Sequence, residues 1–383
     1  MIINANKKIH FHLSFNIKVF VFIVISFFYS KNYLAQFSSV SMYSGYGSVV
    51  QHTGKIGNLI AERPFFSELN FFKHSSGYYK WHRINNFPDY GICLNFETLG
   101  NAQKLGNSIA LAPYLEFPFT KKEKNILFKL KMAWGLAYLT KKFDIQNNHK
   151  NIAIGTHINT FIQFRFLWQV RVHPQWYLNP SITFIHVSNC RFSVPNLGIN
   201  TLYPSLGITY RFKEDKKYDV VQDSSSDKKS QHEILVFTAI GVNEVEPPTN
   251  NKLWAYSAGS NYYFNIHQNQ QIGAGADVFY EESLAWEARP SDTSKAIVNF
   301  NTAFSSGLKI CYAYNFGRLT PILEMGYYVW MPNNDFPNGK LYHRLGCRYY
   351  FKNNLVAHFS LKTHFAVAYH IEAGIAYRFG LGK

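Results

Sequence analysis

The residues most able to do chemistry lie near the middle of the chain, where His186 and Ser188 are separated by one residue. Residues two positions apart lie on the same face of a β-strand. A serine hydroxyl becomes an effective nucleophile when a neighbouring base takes its proton, and histidine is the usual base near neutral pH. The spacing therefore suggests hydrolysis by a Ser–His pair, although H-x-S alone also fits an interfacial histidine beside an ordinary serine.

Three asparagines close to this pair offer the other polar groups that such a site needs. The base needs a third group to fix its tautomer. Asn200, which begins the next predicted strand, is expected across from Ser188, within reach of a cross-strand pair. A tetrahedral intermediate also needs hydrogen-bond donors for its oxyanion. Asn189, directly after the serine, and Asn196, in the following loop, can act as amide donors.

The strands that must position these residues are predicted by alternation. Apolar and polar side chains alternate cleanly over 200–212, and His186 and Ser188 continue the apolar face of the preceding segment. In a membrane barrel the apolar face contacts lipid and the polar face lines the lumen. His186, Ser188 and Asn200 are therefore expected on the outer wall, near a membrane surface. Polar groups facing lipid are costly, which favours a function on a lipid substrate.

The composition indicates an all-β chain that forms an antiparallel transmembrane β-barrel. It has 34 Phe and 26 Tyr but only 16% charged residues, whereas soluble domains average about 25%. Each half offers about eight strand-length segments, so the chain predicts tandem barrels or, alternatively, one barrel of about 16 strands. A polar connection over 213–233 favours two, because periplasmic turns are normally short.

The corresponding domain prediction is a signal peptide at 1–36, a catalytic barrel at 37–212, the 213–233 linker and a second barrel half at 234–383. Lysines followed by a short apolar run near the N-terminus are typical of a secretory signal, so we expect export to the outer membrane. The net charge of +16 suits an anionic lipid surface. The basic residues are scattered, so nucleic acid is not expected as a partner.

The run His186-Val-Ser188-Asn189, followed by Pro195-Asn196-Leu-Gly198-Ile-Asn200, resembles the motif of the PagL family of lipid A 3-O-deacylases. The resemblance implies an eight-stranded outer-membrane barrel that removes an ester-linked acyl chain from lipid A. It also implies that His186 is the base, that Ser188 is the nucleophile and that the two asparagines shape the loop and the oxyanion site. The family has a glutamate where this chain has Asn200, which can orient the histidine but adds no charge.

The resemblance makes a serine-dependent lipid A deacylase the first hypothesis, with lipopolysaccharide and outer-membrane lipids as partners and with no metal or cofactor expected. The alternatives are a non-catalytic barrel, such as a pore or a surface-binding protein, and a secreted soluble β-protein. The oligomeric state and the role of the second half stay open.

A second H-x-S occurs at His358 and Ser360, with Glu372 at the same separation from the histidine as Asn200 from His186. Here the apolar residues alternate with the motif, so all three side chains are predicted to point into the lumen. We interpret them as lumen residues without catalytic function. The four cysteines have no CxxC spacing, and their pairing is not predicted.

Overall fold

The computed structural model describes residues 37–120, 125–212, 232–245, 251–287, 298–332, 339–365 and 367–381. The expected signal peptide at 1–36 lies outside these ranges, as does most of the expected linker, 213–231. The last two residues of the expected linker, His232 and Glu233, already belong to a strand.

Strands dominate the described chain. The first nine are β1 (Ser39–Tyr46), β2 (Ser48–Val49), β3 (Phe65–His74), β4 (Asp89–Thr98), β5 (Asn107–Pro118), β6 (Ile126–Leu139), β7 (Ile158–Arg171), β8 (Trp176–Ser188) and β9 (Ile199–Arg211). The next eight are β10 (His232–Asn243), β11 (Leu253–His267), β12 (Gln270–Glu281), β13 (Phe304–Tyr314), β14 (Leu319–Trp330), β15 (Leu341–Tyr350), β16 (Leu355–His364) and β17 (Val367–Leu381).

These strands close into two separate antiparallel barrels. In the first barrel, sequential neighbours pair from β3 to β9, and β1 pairs with both β3 and β9 to complete a ring of eight long strands. The two-residue β2 adds to β9 at one rim. In the second barrel, β10 to β17 pair in sequence, and β10 closes against β17. The prediction of tandem eight-stranded barrels is confirmed, and the alternative of one large barrel was wrong.

The helices are short and lie in the connections between strands: α1 (Gly54–Gly57), α2 (Lys80–Ile84), α3 (Glu282–Glu287) and α4 (Phe300–Ala303). Within the described ranges, no helix has both the length and the apolar character needed to cross a membrane.

The predicted alternation of faces is present in the strands that carry the candidate site. Along β9, Leu202, Leu206 and Ile208 are exposed on the outer wall, whereas Thr201 and Tyr203 are buried inside. An apolar outer wall is stable only in contact with lipid, because a soluble monomer rarely exposes an apolar surface of that extent.

Both barrel interiors are filled by charged side chains that neutralise one another. In the first barrel, the Glu68 carboxylate accepts hydrogen bonds from Lys131 at 2.6 Å and from Arg165 at 2.8 Å. In the second, the Glu324 carboxylate binds Lys309, Arg344 and Arg348, each at 2.8 or 2.9 Å. Buried charges require such partners. The side chains of these networks occupy the interiors of the two barrels.

The two barrels stand side by side and touch near both rims. At the rim where β1 begins, Tyr314 donates a hydrogen bond to Asn85, and the ring of Phe316 packs against that of Trp81. The opposite rim, where β8 ends and β9 begins, is called here the site end. There the β8–β9 loop contacts the β10–β11 loop of the second barrel, mainly through Glu244.

Candidate active site

The register of the β8–β9 hairpin brings His186 directly opposite Asn200. The prediction that Ser188 lies across from Asn200 was wrong by two residues. The ladder between the two strands ends at the pair Val187 and Ile199, so Ser188 extends beyond it and pairs on its other side with Thr160 of β7. The conformation of the connecting loop sets the register of a hairpin. The ten residues between these two strands contain no recognisable turn motif, so the sequence did not predict the register.

The side chains of His186, Ser188 and Asn200 form one continuous hydrogen-bonded row. The Nε2 atom of His186 lies 2.9 Å from Ser188 Oγ, and its Nδ1 atom lies 2.6 Å from Asn200 Oδ1. The imidazole is half-buried and continues the outward row of Ile182 and Phe184, whereas Ser188 is almost fully covered. All three predicted members of the row are therefore brought together at the site end of the outer wall.

A fourth member of the row, His52, was missed by the sequence analysis. It follows β2 on the long β2–β3 connection, and its Nδ1 atom lies 3.2 Å from Asn200 Nδ2. Its Nε2 atom lies 2.9 Å from the carbonyl oxygen of Leu197 in the β8–β9 loop. The backbone there is fixed on β9, because Val50 N donates to Asn200 O at 2.8 Å.

The β8–β9 loop, residues 189–198, is tied together by its two predicted asparagines. Asn189 N donates to Asn196 Oδ1 at 3.0 Å, and Ser193 N donates to Asn189 Oδ1 at 3.3 Å. A backbone N–H can only donate, so the side-chain atom of Asn189 that faces Ser193 N must be the oxygen. The other side-chain atom is therefore the amide nitrogen, Nδ2, which is a donor. That Nδ2 is buried without a hydrogen-bond partner among the described residues. Asn196 thus shapes the loop, and Asn189, the residue that follows Ser188, keeps a side-chain donor that no described residue satisfies.

Gly198 is required at the end of this loop for two reasons. Its φ of +75° is in the left-handed region, which disfavours side chains. A Cβ atom at this position would lie 3.1 Å from His186 Cε1 and 3.3 Å from Ser188 Cβ. The glycine therefore leaves room for the Ser–His pair.

Cys190 lies beside the serine but is not suited to replace it. Its Sγ atom is 3.9 Å from Ser188 Oγ and donates a 3.5 Å hydrogen bond to Thr160 Oγ1. Burial raises the pKa of the Cys190 thiol above its usual range. The reactive thiolate is therefore scarce at neutral pH. All four cysteines are free thiols.

The second H-x-S motif lies inside the second barrel, as predicted. His358, Ser360 and Glu372 are all buried on the lumen side, among Arg344 and Arg348. Across the described ranges, no group of three or more His, Cys, Asp or Glu side chains is arranged to hold a metal ion.

Each half of the chain matches the model of a known protein family. Residues 69–217 match the family model described as lipid A 3-O-deacylase (PagL), and residues 232–381 match the model described as acyloxyacyl hydrolase, C-terminal domain. No curated protein matches the sequence.

Several solved outer-membrane structures are similar to parts of the chain. The outer membrane enzyme PagL is 16% identical, over 45% of this chain and 98% of that one, with a TM-score of 0.33. Neisserial surface protein A is 9% identical, over 45% and 96% of the two chains, with a TM-score of 0.32. A deletion mutant of TodX, a monoaromatic hydrocarbon channel, is 10% identical over 90% of each chain, with a TM-score of 0.18.

The two family matches run through both barrels, and the first contains the whole Ser–His–Asn row of the β8–β9 hairpin. Together the two models cover residues 69–217 and 232–381, and the chain belongs to the PagL family of lipid A 3-O-deacylases.

Proposed function

We propose that this protein is a serine esterase that removes the ester-linked acyl chain at position 3 of lipid A. The observation that carries the proposal is the hydrogen-bonded row of Ser188, His186 and Asn200 on the outer wall of a PagL-family barrel. A polar row on a wall that faces lipid is costly unless a lipid substrate uses it.

In the proposed reaction, His186 Nε2 takes the proton from Ser188 Oγ as this oxygen attacks the ester carbonyl carbon. The tetrahedral intermediate then collapses. Its bond to the sugar oxygen breaks, and His186 returns the proton to that oxygen, which leaves as an alcohol. Water, deprotonated by His186, next attacks the acyl-serine, and the fatty acid leaves as Ser188 regains its proton. Each step balances with water as the only co-reactant.

The tautomer of His186 follows from the row of partners. His52 Nε2 faces the carbonyl oxygen of Leu197, which can only accept, so His52 carries its proton there and its Nδ1 accepts from Asn200 Nδ2. This orientation turns Asn200 Oδ1 toward His186 Nδ1. His186 therefore carries its proton on Nδ1 and leaves Nε2 free to accept the serine proton, as a general base must.

The contact between His52 and Asn200 compensates in part for the absence of the glutamate that the family has at the position of Asn200. In a serine protease, replacing the triad acid by its amide costs about 10⁴ in kcat, largely because the histidine takes the wrong tautomer. We assign to His52 the role of preventing that error by fixing the Asn200 amide in one orientation. The missing negative charge still leaves the imidazolium less stabilised than a carboxylate would.

The oxyanion is assigned to the Asn189 side chain. Its Nδ2 is a buried donor without a partner among the described residues, and such a group costs free energy unless it binds something during function. Asn196 holds the Asn189 backbone. A donor that is fixed before the reaction stabilises the developing charge without reorganisation.

The surroundings suit a lipid substrate. Ile182 and Leu202, which lie on the same outer face as His186, expose apolar side chains. An acyl chain can lie along this face with its ester at the Ser–His pair. The alternative of a pore is disfavoured, because buried networks around Glu68 and Glu324 fill both barrels.

The test is mass spectrometry of lipid A incubated in detergent micelles with the purified protein or with Ser188→Ala. We expect the wild type, but not Ser188→Ala, to release one hydroxy fatty acid and to leave lipid A lighter by that acyl group. The Ser360→Ala variant is the matched control and should behave as wild type. Identical spectra from wild type and Ser188→Ala would refute serine catalysis on this substrate.

A further inference from the structure

The second barrel reaches across to the β8–β9 loop of the first through Glu244, which directly follows β10. Its Oε2 atom accepts hydrogen bonds from Ser193 Oγ at 2.8 Å and from Val194 N at 3.3 Å. Its backbone N–H donates to the carbonyl oxygen of Arg191 at 3.1 Å. One residue of the second barrel thus holds three residues of the loop that follows the proposed nucleophile.

Neighbouring residues of the second barrel reinforce this contact. Lys252 forms an ion pair with Glu244 at 2.9 Å and also donates to the carbonyl oxygen of Phe192. The guanidinium of Arg191 lies over the ring of Tyr369, 5.4 Å from its centroid. All four consecutive residues from Arg191 to Val194 therefore contact the second barrel.

Burial distinguishes this contact from a surface ion pair. Glu244 is 1% exposed and Ser193 is 8% exposed. A carboxylate covered to that degree needs its hydrogen-bond partners, and removing one side of such a pair is far more costly than at an exposed site. The geometry of the loop and that of Glu244 are thus mutually dependent.

The loop needs such support because its backbone is strained. Cys190 and Arg191 have φ angles of +55° and +65°. This left-handed conformation is unfavourable for non-glycine residues and persists only where the surroundings enforce it. The strained pair follows directly after Ser188 and Asn189, so relaxation of the loop would move the Asn189 side chain, which is tied to Ser193 N.

We propose that the second barrel acts as a clamp on the catalytic loop and that Glu244 is a positioning residue for the deacylation, a role that rests on the proposed function. Glu244 acts through Ser193 and Val194 to keep the Asn189 amide beside Ser188. The second barrel then needs no catalytic site of its own.

The test uses the full-length protein in detergent with the variants Glu244→Ala and Glu244→Gln. Glu282→Ala is the matched control, because Glu282 also follows a strand of the second barrel but accepts its hydrogen bond from Trp254 N within that barrel. We expect Glu244→Ala to lower kcat about 10- to 100-fold with little change in KM. Glu244→Gln keeps an acceptor oxygen and should stay within about threefold of wild type.

Limited trypsin digestion without substrate gives an independent readout, because Arg191 is a cleavage site inside the clamped loop. Cleavage after Arg191 should be slow in wild type and Glu282→Ala and at least about tenfold faster in Glu244→Ala. Heat-modifiable gel migration establishes that each barrel has folded.

The outcomes separate the two proposals. A Glu244→Ala protein with unchanged cleavage overturns the clamp, and faster cleavage with unchanged kcat overturns the positioning role. A wild-type protein without deacylase activity overturns the proposed function, and the cleavage rates then decide the clamp by themselves.

Discussion

The two H-x-S segments of this protein share their spacing and their histidine-to-serine distance but differ in every surrounding group. The Nε2–Oγ distance is 2.9 Å both for His186 and Ser188 and for His358 and Ser360. The first pair lies at a strand end on the outer wall, where an acyl chain can reach it. The second is buried in a barrel interior filled with charged side chains.

The partners of the second pair force the opposite proton arrangement. Arg348 Nε, which can only donate, faces His358 Nδ1 at 3.2 Å. A neutral His358 therefore carries its proton on Nε2 and donates it to Ser360, whose own proton goes to Glu372 at 2.9 Å. His358 is then unable to take the proton of Ser360. In the first pair, Asn200 and His52 leave Nε2 of the histidine free.

A short histidine–serine spacing therefore does not by itself identify a catalytic pair. The group on the far side of the imidazole decides which nitrogen is basic, and the face of the strand decides which substrate can approach. Both properties depend on residues far away in the sequence.

The largest difference between the two pairs should appear on removal of the serines. Ser188→Ala should lower kcat for lipid A deacylation by at least about 10³-fold, because the nucleophile is lost. The kcat of Ser360→Ala should stay within about twofold of wild type. Steady-state release of fatty acid measures kcat for both variants. Equal losses in the two variants would contradict the statement that only Ser188 is catalytic.

Loss of the groups that fix the tautomer of His186 should have the second largest effect on kcat. Asn200→Ala should lower kcat about 10²-fold, the low end of what general base catalysis supplies. His52→Ala should lower it about tenfold, because His52 only orients Asn200. The double variant should be no slower than Asn200→Ala, because His52 acts through Asn200. Losses that multiply in the double variant would show that His52 acts by another route.

A smaller effect is expected from Gly198→Ala, for which the second barrel offers a matched control. Gly198 and Gly339 have φ angles of +75° and +74°, but a Cβ at Gly339 would meet no atom of the described residues within 4 Å. Both alanine variants should lose about 1 kcal/mol of unfolding free energy through backbone strain. Only Gly198→Ala should also lose activity, by about tenfold. Urea titrations and initial rates measure the two quantities, and equal activities would contradict the proposed crowding of Ser188.

The smallest effect concerns Cys190. Because burial raises its thiol pKa, the thiol stays protonated at neutral pH, and the thiolate appears only as the pH rises above the usual range for cysteine. Cys190→Ser should change kcat by less than about threefold. Alkylation of Cys190 by iodoacetamide should be slow at pH 7 and accelerate at higher pH. Rapid alkylation at pH 7 would show that the thiol is activated.

Much of the fold could be predicted from the sequence, because the alternation of apolar and polar residues along a strand indicates which side chains face lipid. It predicted the outer face of β9, the lumen position of His358 and the tandem barrels. The Ser188–His186–Asn200 set was also predicted, since the three residues lie within one hairpin.

The remaining parts of the site depend on long-range contacts. Loop conformation, which the sequence does not encode in a simple turn, placed His186 rather than Ser188 opposite Asn200. His52 joins the row across a separation of 148 residues through closure of β1 and β2 on β9. Glu244 belongs to the other barrel, and no local pattern links it to Ser193.

The activation of Ser188 by His186 can be tested by labelling the full-length protein with a fluorophosphonate, a reagent in which an activated serine oxygen displaces fluoride from phosphorus. Peptide mass spectrometry then locates the adduct. We predict a single adduct on Ser188 that persists in Ser360→Ala and disappears in Ser188→Ala and His186→Ala. An adduct on Ser360, or labelling of Ser188 that survives removal of His186, would contradict it.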